Sequence, residues 1–121
     1  MAVTGFDISL QRTLEDGRSW GDVGPYEELR GTLRFAVDPV HQANGRITDV
    51  ELATRNGEGL VEFSSDVSII LPADRARVSG RMLLDVVNRG NRVALPNFNR
   101  AERLAIDKDT PVDAPLSLDD G

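Results

Sequence analysis

The chain has 121 residues, enough for one domain with a single hydrophobic core. Its 40% apolar and 28% charged residues are typical of a globular protein, and the absence of cysteine excludes disulfides and cysteine-based zinc sites. The net charge of −6 and the lack of any apolar stretch near ~20 residues predict that neither nucleic acid nor a membrane is a partner.

The chain begins without the basic and apolar regions of a signal peptide, so we expect a soluble, cytoplasmic protein. Polar and apolar residues alternate over residues 5–14, and they alternate again from Tyr26 to Val37. This period of two predicts two half-buried strands. Residues 15–25 between them contain three glycines and a proline, which predict a loop.

Turn-forming residues divide the next part of the chain into two further apolar runs, which predict two more strands. In the second of these runs, a short polar stretch keeps the phase of the alternation between apolar residues on either side. We expect a β-bulge at this polar stretch. The predicted strands cover residues 47–54 and 60–71, the bulge lies near residues 64–66, and the turns lie at residues 38–39, 44–45, 56–59 and 72–80.

Residues 82–87 form a nearly continuous apolar run, interrupted only by Asp85. This pattern predicts a strand that is buried on both faces. A buried Asp85 would be costly without a partner, so we expect it to pair with Arg81 or Arg89. A polar turn ends the run, and it consists of Asn88, Arg89, Gly90 and Asn91.

The sequence after this turn predicts little regular structure. We expect a turn at residues 96–99, a short helix at residues 100–106 and an acidic, flexible tail at residues 107–121. Strands joined by short turns predict a mainly β domain over residues 1–106. Its expected architecture is an antiparallel meander or sandwich-like sheet with little helix.

Few residues are arranged to carry chemistry. The chain has no Gly-x-Ser-x-Gly elbow, and its single histidine, His41, lies in a turn-rich segment where a solvated side chain is expected. No set of residues has the spacing of metal ligands, so we expect neither a metal site nor a cofactor. Acidic pairs such as Glu27 and Glu28 are expected to be solvated surface.

Trp20 and Tyr26 flank the glycine-rich loop, and two interpretations of them stay open. Their rings could stack on a sugar or an aromatic ligand. Alternatively, they pin the loop onto the sheet. The first interpretation makes them candidate ligand-binding residues.

Five motifs occur in a fixed order along most of the chain. They are GRSWGDVGPYE at residues 17–27, RG at 30–31, VDP at 37–39, NGEGLVEF at 56–63 and VNRGN at 87–91. Taken together they resemble the opening of the large bacterial alpha/beta hydrolase domain-containing proteins, over about residues 6–106.

This resemblance implies that the chain is the N-terminal portion of an α/β-hydrolase-type fold. The full enzyme would be an esterase or acyl hydrolase, and the remainder of the domain or a partner chain would supply its nucleophile and catalytic histidine. Residues 82–88 would then be the strand before the oxyanion loop. Asn88, Arg89, Gly90 and Asn91 would occupy that loop, where a backbone N–H can face the developing oxyanion.

Two hypotheses about function therefore follow. The first is a non-catalytic portion of a hydrolase, so that these 121 residues alone are inactive and the turn at residues 88–91 is either an oxyanion loop or purely structural. The second is a self-contained β-sandwich that binds a ligand or a protein through the loop of Trp20 and Tyr26.

Overall fold

A computed structural model gives the fold, and it describes residues 2–87 and 93–100. Within these residues the chain is mainly β, with little helix. Three strands, β1 (Ala2–Thr13), β2 (Tyr26–Val37) and β3 (Val61–Pro72), form one sheet in the order β1-β2-β3. The predicted mainly β meander is confirmed at this level.

Contacts between neighbouring strands show that the sheet is antiparallel. Arg12 of β1 binds Glu28 of β2 with an N–O distance of 2.7 Å, and further along β2 Arg34 binds Asp7 with 2.6 Å. The partner in β1 thus lies earlier in the chain as β2 proceeds, as antiparallel pairing requires.

The register between β2 and β3 is constant along the two strands. Thr32 Oγ1 lies 3.2 Å from Asp66 Oδ1, and the rings of Phe35 and Phe63 stack with centroids 4.9 Å apart. Both pairs have the same register, so β3 contains no phase change between Phe63 and Asp66. The bulge predicted near residues 64–66 is therefore wrong.

The register between β1 and β2, in contrast, shifts along the strands. One ion pair between these strands joins two even-numbered positions, and the other joins an odd-numbered position to an even-numbered one. Because side chains alternate strictly along a strand, one of the two strands must hold one additional residue between the two pairs, which is a β-bulge. Gly31 lies at this place: a Cβ atom there would overlap the carbonyl oxygen of Asp7 and lie 2.9 Å from Cε2 of Phe6.

The described residues divide into two compact units. The first consists of residues 2–11 and 29–69, and its core is formed by Val37, Val50 and Val61 with Ala53 packed against them. The strand predicted over residues 47–54 is wrong, because Val50–Leu52 is a single turn of 3-10 helix. Val50 is buried there, whereas Leu52 is exposed, so the two residues do not share the face that a strand would give them.

The second unit contains residues 12–28, 70–87 and 93–100. Leu14 is buried at its centre. The predicted loop at residues 15–25 is confirmed, and it includes two 3-10 turns, Glu15–Gly17 and Gly21–Val23. The connection after β3 includes a further turn, Arg75–Arg77, and its Ala73 N–H donates to the Pro25 carbonyl oxygen at 2.9 Å.

Residues 81–87 form neither a strand nor a helix, and their apolar side chains are exposed. The predicted buried strand is therefore wrong in this structure. A strand needs a neighbour to satisfy its backbone groups, and no described residue provides one. The apolar composition of residues 82–87 is therefore not sufficient to form a strand without a neighbouring strand.

The short helix of the second unit, α1 (Ala94–Asn99), lies where a turn at residues 96–99 was predicted. Pro96 is compatible with it because first-turn N–H groups have no intrahelical acceptor. Asp85 Oδ2 accepts the N–H of Ala94 at 3.1 Å, so among the described residues Asp85 stabilises the start of α1 rather than pairing with Arg81. Arg89, the other partner predicted for it, lies outside the described residues.

Helix α1 ends at Arg100, whose φ of 58° is left-handed, so Arg100 does not begin the helix predicted over residues 100–106. The rest of that helix, the tail at residues 107–121 and the polar turn at residues 88–91 lie outside the described residues. The division into a domain at residues 1–106 and a tail stays a prediction.

Candidate functional site

The most exposed apolar surface of the second unit is the segment at residues 82–87, which we call the apolar run. Met82, Leu84 and Val86 are 86%, 72% and 84% exposed. Leu83 and Val87 are exposed to a smaller degree, and Asp85 is half-buried. Exposure thus alternates along the run, as an extended backbone with alternating side chains gives.

The backbone of the apolar run is also unpaired within the part of the chain that the structure describes. None of residues 82–87 makes a backbone hydrogen bond to another described residue. Just before the run, the Arg81 N–H donates to Ser79 Oγ at 3.3 Å. This contact lies at the end of the connection that follows β3. The run therefore presents both apolar side chains and uncommitted backbone donors and acceptors.

Trp20 and Tyr26, the candidate ligand-binding residues, are brought together in the small apolar cluster of the second unit. Both pack against Leu14, together with Ile70 and Leu95. The Trp20 N–H donates to the Gly24 carbonyl oxygen at 3.0 Å, which closes the glycine-rich loop. These contacts pin the loop, and ligand stacking on the two rings stays a prediction.

The indole ring of Trp20 has two polar features. The Arg18 guanidinium lies over it, with Cζ 4.4 Å from the ring centroid, in a cation–π arrangement. The indole Nε1 is buried and finds no acceptor among the described residues. One ring face is thus covered by a side chain of the loop itself.

Two arginines of the connection after β3 contact the strand ends and the same loop. Arg75 binds the Glu27 carboxylate and the Pro72 carbonyl oxygen, and Arg77 donates to the Asp22 carbonyl oxygen. These contacts were not anticipated from the sequence, because nothing in the polar connection shows which distant residues it meets.

Glu28 is the fully buried carboxylate of this unit, which corrects its expected place on the solvated surface. Its Oε2 accepts Arg12 Nε at 3.0 Å and Arg12 Nη2 at 2.7 Å. Such a forked pair is a strong charge-assisted contact. Sequence reasoning missed it, because Glu28 shares the even-numbered face of β2 with other polar residues, and this pattern indicates exposure to solvent.

Other candidate chemistry is absent from the described part of the chain. His41 is exposed, and its Nδ1 accepts the Ala43 N–H at 3.1 Å, so the ring caps a turn. Among residues 2–87 and 93–100, no three histidine, aspartate or glutamate side chains gather into a metal site. No helix described there has the length and apolar composition that crossing a membrane requires.

The predicted oxyanion loop, Asn88, Arg89, Gly90 and Asn91, lies outside the described residues. Comparisons with known protein families, with curated proteins and with solved structures find no match.

Proposed function

We propose that the chain is the non-catalytic, β-rich N-terminal portion of an α/β-hydrolase-like esterase or acyl hydrolase. In this role it supplies sheet strands. The remainder of the hydrolase domain, or a partner chain, supplies the nucleophile and the catalytic histidine.

The observation that carries the proposal is the exposure of the apolar run. Its composition is typical of a strand covered on both faces, yet the described residues leave it uncovered. A mainly parallel sheet with helices on both faces is the architecture that buries such a strand. The turn at residues 88–91 would then follow that strand directly, where a backbone N–H can face an oxyanion.

The chemistry of the described residues also favours a non-catalytic role. A serine or cysteine hydrolase needs a nucleophile within hydrogen-bond reach of a histidine. The chain has no cysteine, and Nδ1 of His41, its single histidine, is engaged by a backbone N–H two residues away. In the proposed role, the catalytic groups come from elsewhere.

Ester hydrolysis tests the non-catalytic role. We expect the purified chain to hydrolyse p-nitrophenyl acetate no faster than the triple variant Asn88→Ala, Arg89→Ala, Gly90→Ala, with both proteins checked for β-structure by circular dichroism. A higher rate for the parent chain would show that it carries catalytic groups, which contradicts the proposal.

The coding sequence beyond Gly121 tests the enzyme class. We expect either continuation into a Gly-x-Ser-x-Gly elbow or an adjacent reading frame that supplies one. Co-expression of the chain with that sequence should then restore ester hydrolysis, and Leu84→Lys should prevent it because a charge would enter a buried strand. The absence of such an elbow from both the same reading frame and the neighbouring frames would refute the hydrolase assignment.

The alternative is a self-contained binding module that acts through the loop of Trp20 and Tyr26. The fastening of that loop to Leu14 and to Arg77 favours it, because the second unit has a small core of its own. A monomer that unfolds in one cooperative transition, followed by Trp20 fluorescence, and that binds no hydrophobic dye would support this alternative.

A further inference from the structure

We infer that the apolar run of one copy adds as an extra strand to the open edge of β1 in a second copy of this chain. The inference concerns the 121-residue chain by itself. It goes beyond the proposed function, in which the remainder of a hydrolase covers the same run.

The unpaired backbone of the run indicates a sheet edge as its partner. An apolar groove would bury side chains but would leave six residues of backbone donors and acceptors without protein partners. Strand addition satisfies the backbone and places alternate side chains on a neighbouring surface. The alternating exposure of Met82, Leu84 and Val86 fits this mode.

The same chain offers the complementary surface. Its sheet has β1 and β3 as edge strands, each 12 residues long, with no further strand beside them among the described residues. Long open edges are templates for pairing with another chain. Each copy therefore carries both a donor segment and an acceptor edge.

The β1 edge is the better acceptor of the two. Its residues 2–6 carry no charge, and Val3 is 60% exposed. The corresponding exposed part of β3, residues 62–66, includes Glu62 and Asp66, and edge charges oppose pairing. The uncharged segment of β1, with five residues, is close in length to the six-residue apolar run.

The area is sufficient for a stable pair of copies. Burial of one aliphatic side chain corresponds to about 60–120 Å², so complete burial of five would remove roughly 300–600 Å² from water. With an equal area on the acceptor edge and two reciprocal contacts, the total is at most about 1,200–2,400 Å², which includes the range of specific interfaces. Reciprocal exchange between identical copies forms an isologous, closed pair.

Sedimentation over a range of concentrations tests the association. We expect the parent chain to form dimers and the variant Leu84→Lys/Val86→Lys to dissociate at least tenfold more readily. The matched control Val40→Lys/Leu52→Lys changes two other apolar residues, each 77% exposed, and should remain within threefold of the parent. A monomer at every concentration, or equal effects of both double variants, would overturn the inference.

Cysteine cross-linking tests the choice of edge, since the chain has no cysteine of its own. Leu84→Cys lies at the centre of the run, Thr4→Cys at the centre of the β1 acceptor and Ser64→Cys at the centre of the β3 alternative. Mixing Leu84→Cys with Thr4→Cys under oxidising conditions should give a mixed disulfide dimer, because only strands in direct contact bring two Cα atoms within about 7 Å. Equal or faster cross-linking with Ser64→Cys would overturn the β1 assignment.

Failure of the association can be distinguished from failure of the proposed function. A monomeric chain whose coding region continues into a serine elbow would refute the association alone. A dimer whose coding region provides no elbow would refute the hydrolase role alone.

Discussion

Replacing Arg12 by Met should be among the most damaging single changes in the second unit. Arg12 supplies two hydrogen bonds to the fully buried Glu28 carboxylate, at 3.0 and 2.7 Å, and Met fills much of the same volume without a charge. Removal of one partner of a buried ion pair weakens the compensation of the remaining buried charge and destabilises by about 3–5 kcal/mol. A 121-residue domain has a free energy of unfolding of about 6–15 kcal/mol, so a large part of it would be lost.

Urea denaturation followed by Trp20 fluorescence measures this loss, because Trp20 packs in the same unit. With a slope of about 2 kcal/mol/M, the midpoint should fall by about 1.5–2.5 M. The double variant Arg12→Met/Glu28→Leu should recover most of the loss, since neither charge is then buried alone.

The matched control is Arg34→Met, which breaks the ion pair with Asp7. Both of those side chains are at least 60% exposed, so the expected loss is below about 1 kcal/mol. A loss for Arg12→Met as small as for the control, or a double variant as unstable as the sum of its single changes, would refute the assignment of a buried, mutually dependent pair.

Two further changes test the first unit by circular dichroism during urea denaturation. Gly31→Ala should destabilise by about 1–3 kcal/mol, because the new Cβ would overlap the Asp7 carbonyl oxygen, whereas Gly57→Ala, with open space around it, should change little; equal effects would exclude the close approach at Gly31. Asn56→Asp should lower stability by about 1–2 kcal/mol, since Nδ2 of Asn56 donates to Glu62 at 2.9 Å and a carboxylate cannot. Adding Glu62→Gln should restore most of this loss, and failure of that rescue would argue against the side-chain contact.

The three strands of the sheet were predictable because a simple physical signal defines them. Residues of a half-buried strand alternate between core and solvent, and this alternation marked β1, β2 and β3 to within a few residues of their bounds. Pro72 lies at the end of β3, as expected for a residue that cannot donate to a ladder. The direct pairing of β2 with β3 was not predicted, because a further strand was expected over residues 47–54 between them.

The segment at residues 47–54 shows where the same signal fails. Val50 and Leu52 alternate with polar residues, as in a strand, but a neighbouring strand is needed before alternation has structural meaning. The chain instead buries Val50 alone against Val37 and Val61, and Asp49 adopts a left-handed φ of 58°. Tertiary packing of one side chain therefore overrode the local pattern.

The position of the candidate site in the chain was predictable from the sequence, but the conformation of that segment was not. A continuous apolar run indicates that residues 82–87 favour burial, and sequence cannot state which partner buries them. The described residues leave the run exposed and its backbone unpaired, so its apolar character serves no contact within them. Selection for such a segment makes physical sense only where an added sheet edge covers it, and both the proposed hydrolase sheet and a second copy of β1 are edges of that kind.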